Sequence, residues 1–242
     1  MPGSLKTEGI VLRSIRYGEA DRVLHIYTPG RGRVGAIAKG VRKARSRFGG
    51  RLEPYFRLSL MLHEGRSDLM TVTGAETISA HPRLREDGGA LDAAGRACDA
   101  VARLFESGDP NPSVFNLLAN ELMLLDADPA LAGRANQLAF RAKLLLAAGL
   151  APALDACAAC GERDHLSGFS GAAGGVVCSA CEASAFPLDE EAHAFLVMAL
   201  GRPLVEAGAA TASERALGQA ERALGETLEH HAHVRWRPAA AA

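Results

Sequence analysis

The sequence predicts an α+β protein of two domains, a basic all-β domain followed by an acidic helical domain that carries a four-cysteine site. Near residue 80 the composition changes from β-branched residues and turn signals to alanine, leucine and arginine, which favour helices. Residues 1–80 contain 14 Lys+Arg against 7 Asp+Glu, whereas the rest of the chain contains 13 against 21. A basic head on an acidic body indicates a nucleic-acid partner at the basic end. We therefore predict domains at residues 1–80 and 81–242.

The first domain contains short aliphatic and β-branched runs separated by glycine and proline turns. The predicted strands are residues 9–15, 22–28, 33–39, 55–63 and 69–77. Five strands in about seventy residues favour a partly open barrel of the oligonucleotide-binding (OB) type. An SH3-like barrel is the alternative.

Residues 30–51, called here the basic segment, contain eight cations and no acid. The cations are Arg31, Arg33, Lys39, Arg42, Lys43, Arg45, Arg47 and Arg51. Because like charges at this density repel one another, a polyanion such as DNA is one explanation, and a solvated linker is the other. The aromatic candidates for base stacking are Tyr17, Tyr27, Phe48, Tyr55 and Phe56. Phe48 is the preferred candidate, since it lies in a polar, glycine-rich stretch without apolar neighbours.

The second domain is predicted to be an α-helical bundle. Residues 91–105, 113–126 and 131–150 have helical periodicity and are separated by Asp-Pro breaks, so we expect these three helices to pack together. Two more helices are expected at residues 187–200 and 213–233. Arg134, Arg141 and Lys143 give the third helix a basic side, which makes them secondary DNA-binding candidates; a solvated helix face is the alternative.

Two C-x-x-C pairs, Cys157/Cys160 and Cys178/Cys181, are separated by seventeen residues. Four thiolates at this spacing suit one structural Zn²⁺ with no open position for water, in a knuckle at about residues 152–186. An iron site, a redox pair and disulfides are the alternatives. The glycine-rich stretch between the pairs is predicted to lack a core of its own. The fifth cysteine, Cys98, is expected to be a buried thiol.

Motifs of catalysis and of membrane insertion are missing. The chain has no signal peptide and no long apolar run, so we expect a cytoplasmic protein without membrane contact. It also lacks a phosphate-binding GxxxxGK[ST], an HExxH and a GxSxG motif. Together with the basic head, this favours a binding protein over an enzyme.

Several short motifs resemble those of the bacterial recombination mediator RecO family. In order they are Glu8-Gly-Ile-Val-Leu-Arg13, Tyr17-Gly-Glu-Ala-Asp21, Thr28-Pro-Gly-Arg-Gly32, Lys39-Gly-Val-Arg42 and Leu52-Glu-Pro-Tyr55. The four cysteines within a helical region are also similar to those of zinc-bearing members. The resemblance covers nearly the whole chain, and the first eighty residues carry its specific motifs.

The resemblance implies an N-terminal OB-fold, a helical domain interrupted by a zinc knuckle, and a nucleoid-associated function without catalytic turnover. It implies binding of single- and double-stranded DNA, annealing of complementary strands, and work with RecR that helps RecA replace the single-strand-binding protein SSB. DNA contact would fall on the basic segment, and SSB contact on helices that offer no motif to match. Two other readings stay open: a generic RNA- or DNA-binding OB protein without annealing activity, and a metalloenzyme or redox protein using the four cysteines.

Overall fold

The computed structural model describes residues 3–43, 45–65, 67–105, 108–181, 183 and 185–239. The chain forms two compact units, Met1–Pro129 and Ala130–Ala242. The predicted boundary at residue 80 falls inside the first unit, between its strands and its helices. Within the described residues, no helix has both the length and the apolar character needed to cross a membrane.

Five strands of the first unit form a closed barrel in the order β1-β2-β3-β5-β4. Their bounds are β1 Ser4–Tyr17, β2 Asp21–Thr28, β3 Gly32–Ala38, β4 Arg57–His63 and β5 Met70–Ser79. All pairings are antiparallel except that of β3 with β5, which is parallel at Ala36 and Met70. This topology confirms the predicted five-stranded OB barrel. The first strand begins earlier than predicted, because residues 4–8 pair with β4.

Side chains alternate between the inside and the outside of the barrel. On β2, Leu24 and Ile26 are fully buried, and on β3 the inward residues are Val34, Ala36 and Ala38. This period of two leaves the intervening residues of β1, β2 and β3 on the outer face of the barrel. The polar outer residues are therefore free to act on a ligand without disturbing the core.

Three helices complete the first unit: α1 Pro82–Glu86, α2 Gly88–Leu104 and α3 Pro112–Ala127. Side chains cap two of them, since Asp87 accepts from the Ala90 N–H at 2.8 Å and Asn111 accepts from the Val114 N–H at 3.2 Å. The C-terminal end of α2 is fixed over β2 by an edge-to-face contact of Phe105 with Tyr27, with ring centroids 6.1 Å apart. The single-turn helix α1 was not predicted.

The second unit combines four helices with a small sheet. The helices are α4 Arg134–Ala147, α5 Glu190–Gly201, α6 Leu204–Gly208 and α7 Glu214–Ala232. The strands are β6 Leu166–Ser170, β7 Gly175–Cys178 and β8 Phe186–Pro187, in the order β7-β6-β8. The sequence analysis grouped α4 with α2 and α3, and that grouping is wrong: α4 packs on α5, α6 and α7. The Asp-Pro break between α3 and α4 marks a boundary between units rather than a turn within one bundle.

The stretch between the two cysteine pairs is also more ordered than predicted. It forms the β6–β7 hairpin, in which Phe169, Val176 and Val177 are buried. Phe169 lies against Phe186 of β8, with ring centroids 5.7 Å apart. The prediction of a stretch without a core is therefore corrected, since a few apolar residues between glycines are enough to bury one face of a short hairpin.

Candidate metal centre and nucleic-acid interface

Two tight turns place the four predicted cysteines together. In the first turn the Gly161 N–H donates to the Cys157 carbonyl at 2.8 Å, and Gly161 has the positive φ of 82° that glycine adopts without strain. In the second, the Cys181 N–H donates to the Cys178 carbonyl at 2.9 Å. Because Cys178 is the last residue of β7, the hairpin holds one turn against the other.

The four sulfur atoms have the spacing of a tetrahedral metal site. All four Sγ atoms lie within 4.8 Å of one another, and Cys160 and Cys178 are 3.7 Å apart. A tetrahedron with metal–sulfur bonds of about 2.3 Å has sulfur–sulfur edges of about 3.8 Å. The five cysteines all lie in the described part of the chain and all are free, so the predicted disulfide alternative is not adopted. The residues present therefore fit a metal ion held by four thiolates.

The electrostatics of the cluster also suit a cation. Backbone N–H groups, first that of Cys178, lower the pKa of Cys157 to about 6. Hydrogen bonds with Cys160 and Cys178 raise the pKa of Cys181 to about 12. The backbone thus stabilises the Cys157 thiolate, whereas the pKa values of Cys160 and Cys181 are raised. A bound divalent cation would allow all four to ionise, because its charge opposes the mutual repulsion of the thiolates.

Other metal-binding side chains lie apart from this cluster. Cys98 is buried in α2, and burial raises the pKa of its thiol, as expected for an inert core residue. His165, in the stretch between the two cysteine pairs, is exposed. Among the described residues, the four cysteines are the one group of metal-binding side chains close enough to share an ion.

The cations of the basic segment lie on the barrel in three places. Arg31 lies in the β2–β3 turn, Arg33 on β3, and the other six in residues 39–56, called here the β3–β4 loop. The side chain of Arg33 is half-buried, and its Nη1 donates to the Ala102 carbonyl at 2.7 Å. The other seven residues are exposed.

Four of the exposed cations have solvated charges. Lys39, Arg42, Lys43 and Arg45 make no ion pair with any described residue. Arg31 has a loose, exposed pair with Glu64 at 3.5 Å. Arg47 and Arg51 donate to backbone carbonyls and form no ion pair within the described part of the chain. The segment is therefore an open cationic surface, as the sequence predicted.

The base of the β3–β4 loop is fixed to the β1–β2 turn. The Gly40 N–H donates to Asp21 Oδ1 at 2.7 Å, and the Arg42 N–H donates to the Ala20 carbonyl at 2.9 Å. Arg22 and Glu53 add an ion pair of 3.0 Å across the same end of the barrel. These contacts hold the cations in place beside Tyr17, whose side chain is 59% exposed.

Phe48 is not available for base stacking in this structure, and that prediction is corrected. Its side chain is 2% exposed and belongs to the barrel core together with Leu52 and Val72. An isolated apolar residue in a polar loop turns inward because the loop crosses the open end of the barrel, where burial stabilises the ring. Tyr27 is also fully buried, and Tyr55 and Phe56 are half-buried. Of the five aromatic candidates for base stacking, Tyr17 is the one that is exposed.

The basic side of α4 is paired within the second unit rather than open to solvent, which corrects the secondary DNA-binding candidates. Arg134 binds Glu214 at 2.6 Å and Glu221 at 2.7 Å, both on α7. Arg141 is 5% exposed and binds Glu221 at 3.1 Å. Sequence reasoning found no acids near α4, but α7 supplies them from about eighty residues further along the chain.

Lys143, the third candidate on α4, also faces inward. Its Nζ is 3.4 Å from the Leu200 carbonyl near the end of α5, and burial lowers its pKa. Like Arg134 and Arg141, it stabilises the packing of the second unit, so the three side chains are not arranged as a nucleic-acid track.

Sequence reasoning missed two arginines and a histidine on the outer face of the barrel. Arg13 and Arg16 are exposed on β1, and Arg13 lies opposite His25 of β2. The pKa of His25 is lowered chiefly by burial and then by the charges of Arg33 and Arg13. The ring is therefore close to two cations. The alternation of inward and outward residues along β1 and β2 was the signal that could have found them.

Comparisons with known proteins agree with this architecture. The family model described as Recombination protein O N terminal matches residues 1–81, and the model described as Recombination protein O C terminal matches residues 85–238. The chain is 40% identical over 224 residues to a protein of Rubrobacter xylanophilus named DNA repair protein RecO, covering 90% of this chain and 89% of the relative. Proteins of the same name from Anaeromyxobacter dehalogenans and Bifidobacterium adolescentis are 38% and 41% identical, with 91% and 72% of the relative covered.

The two family models divide the chain between β5 and α2, whereas the compact units divide it after α3. The family models divide the chain by sequence similarity, whereas the compact units divide it by packing. With both terminal models matched in order and relatives aligned over most of their length, the chain belongs to the recombination protein O (RecO) family.

Proposed function

We propose that this protein is a non-catalytic recombination mediator that binds single- and double-stranded DNA and anneals complementary strands in DNA repair. The observation that carries the proposal is the cluster of solvated cations on the β3–β4 loop, which has no acidic partner among the described residues. Family membership and the relatives' name, DNA repair protein, support it.

The mechanism is electrostatic. Each cation that contacts a phosphate releases counterions, which gives affinity without sequence preference and a strong dependence on salt. Two strands held in one cationic field repel each other less, so annealing requires no nucleotide hydrolysis. Tyr17 at the rim of the loop supplies a surface on which a base can stack. Arg13, Arg16 and Arg33 extend the positive surface along the outer face of the barrel.

The four-cysteine cluster is proposed to hold one structural Zn²⁺. A donor set of four sulfurs at tetrahedral spacing supports zinc, and it leaves no position for a reacting water. Native mass spectrometry of the purified protein should show one zinc per chain. Protein without bound metal, or with iron in its place, would overturn this assignment.

The partners proposed are RecR, SSB and, indirectly, RecA, acting together at the nucleoid in the cytoplasm. Support comes from family membership. In this scheme the protein, with RecR, helps RecA replace SSB on single-stranded DNA.

The test is annealing of two complementary labelled oligonucleotides without nucleotide, across a salt series. We expect acceleration that fades as the salt concentration rises. Replacement of Arg42, Lys43, Arg45 and Arg47 by alanine should remove most of the acceleration. Binding without annealing would favour the generic OB-fold nucleic-acid-binding protein, and no binding would overturn the proposal.

A matched control variant distinguishes the effect of the unpaired loop cations from the effect of a change in net charge. Arg96, Arg103, Arg215 and Arg235 each form an ion pair with a carboxylate, and replacing all four by alanine gives the same change in net charge. This control variant should anneal DNA at close to the wild-type rate. Equal loss in both variants would mean that net charge, rather than the loop, governs the activity.

A further inference from the structure

A cleft of about 360 Å³ lies in the first unit, at the N-terminal end of β3. Its volume is at the small end of the range of ligand sites. The β3 residues that line the cleft run from Arg33 to Gly35, so the cleft lies about 13 to 20 Å from Lys39 of the β3–β4 loop, given a rise of about 3.3 Å per residue. The basic segment thus begins at this cleft and ends at the loop.

Glycines and apolar side chains form the walls of the cleft. Gly30, Gly35 and Gly108 line it without side chains, and Val34, Met70 and Pro110 supply apolar surface. A Cβ added at Gly35 would lie 2.7 Å from Leu69 Cδ2, so a larger residue there would displace the Leu69 side chain; Gly108 has a φ of +86°, which glycine adopts without strain. A narrow space with backbone on one side and apolar atoms on the other suits a flat ring.

The charged groups of the cleft are two arginines and one carboxylate. Arg31 and Arg33 line it, and the Ala102 carbonyl fixes the Arg33 guanidinium while using one of its five N–H donors. The exposed Arg31–Glu64 pair at 3.5 Å is weak enough for a phosphate to displace. The carboxylate is Asp68, which makes no ion pair with any other described residue.

We propose that this cleft is a subsite for one unpaired nucleobase of a bound strand. The base lies between the glycine wall and Met70, and Asp68 accepts a hydrogen bond from an amino group on its edge, as carboxylates do from cytosine. Arg31 and Arg33 bind the adjoining phosphate. The inference rests on the proposed function and adds to it a contact that recognises bases, whereas the β3–β4 loop recognises charge alone.

The path from cleft to loop is continuous on the barrel surface. Arg33 lies on β3 between them, and His25 and Arg13 lie beside it on β2 and β1. A distance of up to about 20 Å corresponds to about six steps at the 3.4 Å rise of a stacked strand, and to fewer steps in an extended strand. One strand can therefore occupy both sites.

The test compares binding of oligo(dC) and oligo(dT) of equal length at one salt concentration. Aromatic stacking and phosphate contacts tolerate any base, so a difference between the two isolates the hydrogen bond in the cleft. Wild-type protein should bind oligo(dC) about tenfold more tightly, since thymine has no amino group.

Two variants remove this preference by different means. Gly30→Leu adds a side chain at the cleft, where no atom lies within 4 Å of the new Cβ, so the barrel should still fold. Asp68→Ala removes both acceptor oxygens, and it should also strengthen oligo(dT) binding because one negative charge is lost. The control is Gly88→Leu at the exposed start of α2, where the Cβ is equally unhindered.

The outcomes separate the two proposals. A dC:dT ratio near one in Gly30→Leu and Asp68→Ala, with the wild-type ratio kept in Gly88→Leu, supports the subsite. Equal wild-type affinities for the two oligomers, or a ratio that survives both variants, overturns the subsite and leaves the proposed function standing. Wild-type protein that binds neither oligomer overturns the proposed function, and the subsite with it.

Discussion

The β3–β4 loop and helix α4 are both basic in sequence, but the cations of the loop are exposed and those of the helix are paired. On the loop, Lys39, Arg42, Lys43 and Arg45 are exposed and have no acidic partner among the described residues. On α4, Arg134 and Arg141 are held by carboxylates of α7. The same residue type is therefore open to solvent in one unit and forms a packing contact in the other.

The difference teaches that a run of cations is functional only where tertiary structure leaves it unpaired. Glu221 shows why. Burial alone raises the pKa of this carboxyl group, but the Ala239 N–H, Arg134 and Arg141 together lower it below its usual range. A half-buried carboxylate surrounded by three donors keeps its charge, and the arginines are no longer available to a phosphate. DNA affinity and the stability of the second unit should consequently be separable.

The largest effect is expected from loss of a metal ligand. Cys178→Ser should abolish stoichiometric zinc binding and unfold the knuckle, because structural zinc sites contribute about 10–16 kcal/mol of apparent binding free energy. Metal analysis and limited proteolysis would measure it, and DNA affinity should change little. Cys98→Ala is the control, since Cys98 is a buried thiol outside the cluster, and it should keep one zinc. Metal retention in Cys178→Ser would contradict the assignment.

Arg141→Ala should destabilise the second unit by about 1.5–3 kcal/mol, because it removes the most buried of the three donors to Glu221, while Arg134 and the Ala239 N–H remain. Thermal or denaturant unfolding would measure the loss, with DNA affinity of the folded protein unchanged. Arg215→Ala is the matched comparison: its ion pair with Asp189 has an arginine that is 74% exposed, so less than about 1 kcal/mol is expected. A large drop in DNA affinity in Arg141→Ala without loss of stability would show that α4 contacts DNA.

The quadruple loop variant, with Arg42, Lys43, Arg45 and Arg47 replaced by alanine, should bind single-stranded DNA several hundred-fold more weakly at about 0.1 M salt. Each lost phosphate contact removes about 0.7 from the slope of log affinity against log salt, so the slope should fall by up to about 2.8. Equilibrium titrations across a salt series measure both quantities. A wild-type slope in the variant would show that these four cations do not contact phosphate.

The smallest effect concerns pH. Burial and two neighbouring arginines lower the pKa of His25, so this ring is neutral at pH 7. As the pH falls through that lowered pKa, His25 gains a positive charge, and DNA affinity should rise by up to about fivefold, the contribution of one contact at about 0.1 M salt. His25→Gln should remove this rise while leaving affinity at pH 7 close to wild type. A rise that persists in His25→Gln would assign it to another group.

Local pattern was sufficient for much of this molecule. The five strands followed from period-two alternation and turn residues, because a residue on a half-buried strand needs only its neighbours to define its face. Cys157, Cys160, Cys178 and Cys181 followed from spacing, since two tight turns fix each pair locally. The open charge of the β3–β4 loop was also predicted, because residues 30–51 contain no acid to neutralise it.

The errors at Phe48 and on α4 involve contacts between distant parts of the chain. Phe48 looked solvent-exposed beside polar neighbours, but the barrel offers it a core whose residues come from other strands. Arg134 and Arg141 looked unpaired beside alanines and leucines, but α7 brings Glu214 and Glu221 to them.

By itself, the sequence determined most of the strand and helix pattern, the grouping of the four cysteines and the surplus of positive charge on the first unit. Tertiary structure alone decided which cations are open to solvent and which aromatic ring is exposed. The physical reason is that secondary structure and short-range ligand spacing depend on neighbouring residues, whereas charge neutralisation and burial depend on whichever side chains the fold brings within a few ångströms.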